Sequence, residues 1–258
     1  MVEIKECLAN KNNYGSKRNT SSIKYIVIHY TGNDGDKDEN NGMYFKNNIV
    51  KASAHYFVDS DSITRSVPDN YIAYSVGGSR YSDHEVTGGA KYYGKCTNAN
   101  SISIELCDDI KDGVVYPSGY TIQNAVELTK TLMQKYNIPA TNVIRHFDVN
   151  GKKCPLYWCG DSKKNNLWKT AFHNKLVVTS KKETTTTTTK TTFKEYKVKI
   201  NTDVLKIRKG AGTSYGTNGS VKKGEVYTIV DEKWNGTTLW GKLKSGRGYI
   251  SLKYTKKV

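Results

Sequence analysis

The chain has 258 residues, enough for one large domain or for a large and a small one, and either arrangement can bury an adequate core. Its 40 Lys/Arg exceed its 24 Asp/Glu, but unevenly: residues 196–258 hold 14 basic and 4 acidic side chains, residues 1–173 hold 21 and 18. A basic module on a nearly neutral body suggests a polyanionic partner such as nucleic acid, an anionic membrane or a teichoic-acid-bearing wall, and no apolar run approaches the roughly 18 residues of a membrane span.

The opening stretch, MVEIKECLANKNNYGSKRNT, has neither the apolar core nor the small-residue cleavage site of a signal peptide, so synthesis in the cytoplasm is expected. Residues 22–31 (SIKYIVIHYT), 53–59 (SAHYFVD) and 101–106 (SISIEL) are rich in β-branched and aromatic residues and read as strands. A short helix is expected around residues 41–48, although Gly42 weakens it. From 121 to 137, Ile122, Ala125, Val126, Thr129, Leu132, Met133 and Tyr136 fall on one helical stripe, which Pro139 is expected to stop. Residues 174–195 include six consecutive threonines from Thr184 to Thr189 and read as a tether centred on 180–192, with a Thr-rich edge strand as the alternative. Beyond it, short β-rich runs between glycine turns argue for a small all-β barrel. There is no repeat at a solenoid period.

The segment VIRHFDVNGKKCP (residues 143–155) places His146 and Cys154 eight positions apart, with Lys152 and Lys153 before the sulfur, where two cations would favour the thiolate. By itself such a pair also suits a surface loop with an incidental histidine. His29, near the end of an apolar strand that feeds a polar loop, is a candidate third ligand, though strand histidines often only satisfy hydrogen bonds. Together, His29, His146 and Cys154 suit tetrahedral Zn2+ with one position open for catalysis. In SISIEL the period of two turns Ile102, Ile104 and Leu106 to one face, where the amphipathic helix could cover them, and Ser101, Ser103 and Glu105 to the other. A carboxylate on that second face could take a proton from metal-activated water, or be an ordinary solvated glutamate. The five cysteines, an odd number without framework spacing, favour free thiols or a metal role over disulfides.

The motifs YIVIHYTGN, ASAHYFVDSD, NSISIELC and RHFDVNGKKCP, in this order, make residues 1–173 resemble the zinc-dependent type-2 N-acetylmuramoyl-L-alanine amidases, especially the catalytic domains of phage endolysins that lyse Gram-positive bacteria. The resemblance implies an α/β catalytic domain with a mixed central sheet flanked by helices. It implies zinc on His29, His146 and Cys154, with Glu105 as the catalytic carboxylate and Lys152 stabilising the oxyanion. One branch of the family uses a tyrosine where Ala54 stands here, so Glu105 is expected to carry that role. His55 matches a histidine common to the endolysin branch and either touches substrate or is structural. No role is expected for His84 or His173. Cys7, Cys96, Cys107 and Cys159 are expected to be free thiols, Cys159 helping to shape the site.

Residues 196–258, through LKIRKGAGTSYGTNGSVKKGEVYTI, resemble bacterial SH3-type cell-wall-binding domains, with Ala211 where that pattern has proline. The implied organisation is a catalytic domain at 1–173, a Thr-rich linker at 174–195 and an SH3-like barrel at 196–258. The implied activity is hydrolysis of the amide between N-acetylmuramic acid and the L-alanine of the stem peptide. The partner would be Gram-positive peptidoglycan, with no nucleic acid or membrane partner and a monomeric chain. The setting would be a lysin made in the host cytoplasm and acting on the wall after release at lysis. A bacterial autolysin and a non-catalytic peptidoglycan-recognition protein are the alternatives. A nucleic-acid binder has only the basic tail in its favour, without C-x-x-C pairs or a phosphate-cradling glycine loop.

Overall fold

In chain order the first part of the molecule runs β1 (Ile4–Glu6), β2 (Tyr14–Lys17), β3 (Tyr25–Tyr30), α1 (Asp38–Asn47), β4 (Tyr56–Val58), β5 (Ile63–Arg65), β6 (Tyr71–Ala73), β7 (Ser101–Leu106), α2 (Gly119–Tyr136), β8 (Val143–Arg145), α3 (His146–Asn150) and α4 (Ser162–Ala171). The structure, a computed structural model, describes residues 2–81, 87–177, 195–213, 215–235 and 238–258; the centre of the expected tether and His84 lie outside them. The chain divides into two units, Met1–Thr179 and Ser180–Val258.

Six strands of the first unit form one mixed sheet in the order β1-β5-β4-β7-β3-β8. Only the β4–β5 pair in it is antiparallel. β2 and β6 form a separate antiparallel pair. The apolar positions of β3 and β7 follow from strand alternation: Ile26, Ile28, Ile102, Ile104 and Leu106 pack with Ile122, Ala125, Val126, Leu128 and Leu132 of α2. Each such buried side chain contributes about 1.5–3 kcal/mol relative to exposure. α2 begins where Ser118 Oγ accepts the Thr121 N–H at 3.1 Å. It ends at Asn137, whose left-handed conformation (φ 52°) lets its N–H reach Met133 O, so Asn137 rather than Pro139 closes the helix.

Gly42 does not prevent α1, because the helix lies too close to the sheet for a side chain there. An added Cβ would stand 2.6 Å from Thr64 Cγ2 and 3.2 Å from Cys7 Cβ. Behind β8, Trp158, Trp168 and Phe172 form a ring cluster with Trp168 and Phe172 stacked at 5.1 Å, which anchors α4. Among the described residues no helix is long and apolar enough to cross a membrane.

The second unit contains β9 (Tyr196–Ile200), β10 (Val204–Arg208), β11 (Thr217–Lys222), β12 (Val226–Asn235), β13 (Thr238–Leu243), β14 (Tyr249–Ser251) and β15 (Thr255–Lys257). They form one antiparallel sheet in the order β11-β10-β14-β13-β12-β9-β15. Its core is Val198, Ile200, Leu205, Ile207, Val221, Ile229, Leu243 and Ile250. The alternation that buries these residues leaves Lys197, Lys199 and Lys206 exposed, so the unit's charge is displayed on its surface. Gly248 (φ 129°) is required where β14 meets β10, since a Cβ there would lie 2.1 Å from Arg208 O.

Candidate metal centre

Strand register explains why distant residues meet. β3 and β7 run in parallel with His29 opposite Glu105, both on the face turned away from α2. β8 pairs Ile28 with Arg145, so the next residue, His146, falls beside His29 just as the strand turns into α3. α3 is capped by Gly151 (φ 88°), where an added Cβ would be 2.6 Å from Tyr81 O. That glycine turns the chain back so that the Phe147 N–H reaches Cys154 O at 2.9 Å, placing the Cys154 thiol beside both imidazoles.

The ligand atoms of His29, His146 and Cys154 lie within 4.8 Å of one another, and all three residues are buried. Cys154 Sγ is 3.8 Å from His29 Nδ1, and the two imidazole rings are 4.7 Å apart. Glu105 Oε1 lies 3.8 Å from His29 Nδ1 and keeps 19 % of its side-chain surface exposed, enough to be approached from solvent. His29 Nε2, both ring nitrogens of His146 and Glu105 Oε2 are buried without a hydrogen-bond partner among the described residues. Each such orphan costs about 1–3 kcal/mol, a cost that a cation on the two imidazoles and the thiolate would offset. The donor set fits a transition-metal ion.

Burial governs the protonation of the set. It drives His29 well below the usual imidazole range, with the charge of His146 and then of Lys152 adding to the effect. His146 falls to about 3 from burial and from Lys152. Both imidazoles are therefore neutral, the form that binds metal. Burial pushes Glu105 up to about 8, against the opposing charge of Lys152 and with Asp36 adding to the rise. The expectation that flanking lysines hold Cys154 as a thiolate is corrected. Burial and Glu105 raise the thiol well above 9.0, outweighing the Tyr30 N–H and Lys152. Lys152 is exposed at the rim.

The other candidates separate cleanly. His55 is fully buried: its Nδ1 accepts the Ser103 N–H at 3.0 Å, and Nε2 lies 3.1 Å from Tyr71 O and 3.0 Å from the Arg18 guanidinium. It has no surface to offer a substrate. His173 Nε2 is bonded to Ala140 O at 2.9 Å. Ala54 packs with Phe57 and Cys107 in an apolar cluster. All five cysteines are free, and the Cys159 thiol donates to Pro155 O at 3.1 Å, fastening the turn after Cys154.

Sequence reasoning passed over Arg145. Its guanidinium donates to both carboxylate oxygens of Asp148 (2.9 and 2.6 Å), to Asn165 Oδ1 (2.7 Å) and to Trp158 O, locking the first turn of α3 on which His146 stands. The Arg/Asp pair three residues apart in RHFD was the available signal. Asp38, Asp59 and Asp61 form a second acidic group. There the oxygens are engaged: Asp38 accepts from Ser62 and Thr64, and Asp59 from the N–H groups of Asp61 and Ser62.

Residues 19–156, which contain the three metal-binding candidates, Glu105 and Lys152, match the family model described as N-acetylmuramoyl-L-alanine amidase. The chain belongs to this family. It is 32% identical over 149 residues to the N-acetylmuramoyl-L-alanine amidase CwlL of Bacillus licheniformis, an overlap of 56% of this chain and 39% of that protein. Against BlyA of Bacillus subtilis (strain 168), an amidase of the same description, identity is 34% over 148 residues, 55% of this chain and 39% of the relative. The chain thus spans about two fifths of the length of these curated relatives. Among solved structures, the catalytic domain of XlyA superposes with a TM-score of 0.52 at 27% identity, covering 68% of this chain and 100% of that domain. The overlap accounts for the mixed sheet and helices of the first unit.

Proposed function

We propose that the chain is a zinc-dependent peptidoglycan hydrolase that cuts the amide between the lactyl group of N-acetylmuramic acid and the L-alanine of the stem peptide. The observation that carries this reading is the buried convergence of His29, His146 and Cys154, with orphaned imidazole nitrogens, beside a carboxylate still open to solvent. The named amidase relatives support the choice of bond. The chemistry zinc supplies when bound is Lewis acidity, polarising the scissile carbonyl and bringing the pKa of water toward about 7. Beside a bound cation the Glu105 carboxyl returns to the ionised form, in which it takes the proton of the attacking water and delivers it to the departing alanine amine. Lys152 holds its ammonium where negative charge develops on the carbonyl oxygen. The protonated thiol of the metal-free chain loses its proton on binding, so metal uptake releases acid.

In the same proposal, residues 174–195 are a tether and residues 196–258 an SH3-type module that holds the enzyme on the Gram-positive wall. The all-antiparallel sheet and its outward lysines support that role. The setting is that of an endolysin reaching the wall when the cell is lysed. Mass spectrometry of digested walls tests the activity: new free L-alanine amines on intact glycan are expected, and new reducing sugars instead would overturn it.

A further inference from the structure

The outer face of β9 carries a charge pattern that the stability of the fold does not explain. On this strand Val198 and Ile200 are buried in the core, so Lys197 and Lys199 project outward. β15 pairs with it so that Lys256 stands directly opposite Lys199, and both are exposed. Directly opposed residues of an antiparallel pair share a face with their Cβ atoms about 4.5–5.5 Å apart, and like charges so placed repel. The five carboxylates from residue 195 onward lie against other groups. Glu195 accepts from Lys244 at 2.6 Å, Glu225 from the Lys222 N–H at 2.7 Å and the Tyr227 hydroxyl at 2.9 Å, Asp231 from the Glu232 N–H at 3.0 Å and Glu232 from the Tyr196 hydroxyl, while Asp203 is 3.7 Å from Lys223. Among the described residues, Lys197, Lys199 and Lys256 have no carboxylate partner. β12 completes the face with Val226 opposite Lys199 and Thr228 opposite Lys197.

We propose that this face of the second unit seats a phosphodiester polymer of the cell wall, a chain of short alditol units joined by phosphates, laid along β9. The inference rests on the wall-holding reading of the second unit and is independent of the chemistry at the metal centre. Lys197 and Lys199 are about 6.8 Å apart along the strand, and Lys256 sets a third ammonium beside Lys199. A flexible chain with a phosphate on every short unit can meet all three. Its phosphates supply the countercharge that the fold withholds, and binding releases condensed counterions. Peptidoglycan offers no such continuous row of anions, because its glycan backbone is neutral and its carboxylates sit on the stem peptides beside amines. Single-stranded nucleic acid has the phosphates, but its grip also draws on bases stacked against aromatic rings. The opposed residues of this face, Lys197, Lys199, Val226, Thr228 and Lys256, include no ring.

The test uses the full chain, soluble poly(glycerol phosphate), and walls either intact or stripped of their phosphodiester polymer with hydrofluoric acid. Binding to poly(glycerol phosphate) should weaken with salt at a log–log slope of about −2, from three contacts at about 0.7 each on a single strand. Lys197→Gln/Lys199→Gln/Lys256→Gln should bind it about 30-fold less tightly, the combined scale of three exposed charge pairs, whereas the charge-matched Lys206→Gln/Lys209→Gln/Lys222→Gln should stay within about 3-fold of the wild type. The latter three lie on β10, β11 and the connection between them. The first variant should keep its Tm, because it removes opposed like charges. Sedimentation in the cold should show far more wild type on intact than on stripped walls. Equal loss of affinity in the two variants would reduce the effect to net charge and overturn the proposed face. A lower Tm with unchanged affinity in the first variant would make its lysines structural and overturn it as well. A wild type that holds stripped walls as tightly as intact ones would overturn the polymer while leaving the wall reading standing, and failure to hold intact walls would overturn both. Tighter binding to single-stranded DNA with the same number of phosphates would overturn the choice of partner.

Discussion

The first unit buries two clusters of the same residue types, and they differ in one respect. Around His55, the ring nitrogens, Asp69 and Arg18 are all partnered: Asp69 accepts from Tyr56 (2.6 Å), Lys135 (3.0 Å) and Tyr136, while Arg18 donates to Asp69 O and to the carbonyls of Asn98, Ala99 and Ser101. Around His29, the ring nitrogens of His146 and one oxygen of Glu105 have none among the described residues. A satisfied network has completed its bonding within the chain and stabilises the fold. An unsatisfied one keeps its lone pairs for something that arrives later. Burial and residue identity do not separate His55 from His29 and His146; the state of their hydrogen bonds does.

The strongest way to break this contrast is to remove a ligand. His29→Ala, His146→Ala and Cys154→Ser should each abolish stoichiometric zinc. They should also lower activity by more than the roughly 10- to 100-fold that loss of an outer partner costs. Metal analysis checks this, and wild-type zinc content in any of the three would sink the ligand assignment. Next in size, Glu105→Ala and Lys152→Ala should keep the zinc and lose about 100-fold in rate. Near-normal turnover in both would move the chemistry elsewhere.

Asp69→Asn tests the satisfied cluster. It should cost about 2–4 kcal/mol of stability, read by denaturant unfolding, while the folded variant keeps its zinc. Burial pushes the Asp69 carboxyl up, but donation from Tyr136, Tyr56 and Lys135 outweighs it, and the net shift is below the ordinary 3.8. A depressed carboxylate stabilises the fold fully above its unfolded value, and that contribution is lost as pH falls through the folded one. The wild type should therefore shed this contribution below about pH 4, and the Asn variant should show a flatter acid limb. An identical acid limb in both would remove Asp69 from the network's energetics.

The smallest expected effect lies in the second unit. Truncation after residue 178 should leave the rate on soluble muropeptides unchanged, because all five proposed site residues lie upstream. It should slow lysis of intact cells by about 10-fold, since tethering raises the local concentration of the catalytic unit. Added salt should shrink the full-length advantage, as exposed charges are screened over about 10 Å at 0.1 M. An advantage indifferent to salt would point instead to a specific pocket in the second unit.

Much of the first unit was legible in the chain because periodicity encodes burial. The strands around His29, Tyr56 and Glu105 and the stripe of α2 occur at or within a few residues of where alternation and the 3.6-residue period place them. The pairing of β3 with β7 and β8 was not legible, since residues 25–30 and 101–106 meet only through long connections whose geometry is set by packing. The thiol of Cys154 shows the same limit from the side of electrostatics. Two lysines beside it in sequence suggested a thiolate, but the burial that dominates its pKa is a property of the folded site. Gly42 was read as a weakness of α1 and proves to be what lets the helix approach Thr64 and Cys7.

By itself the sequence supplied the proposed site groups: two imidazoles, one thiol, one carboxylate and one ammonium, on segments whose local periods assign them to strand ends and a following turn. Residue identity and local period are short-range properties, so they can be read along the chain. Only the tertiary structure decided which histidines keep free lone pairs, because a hydrogen bond depends on what the fold brings to within about 3 Å. His55 spends its nitrogens on Ser103 and Tyr71, while His29 and His146, carried by neighbouring strands and the Gly151 turn to a shared buried point, do not.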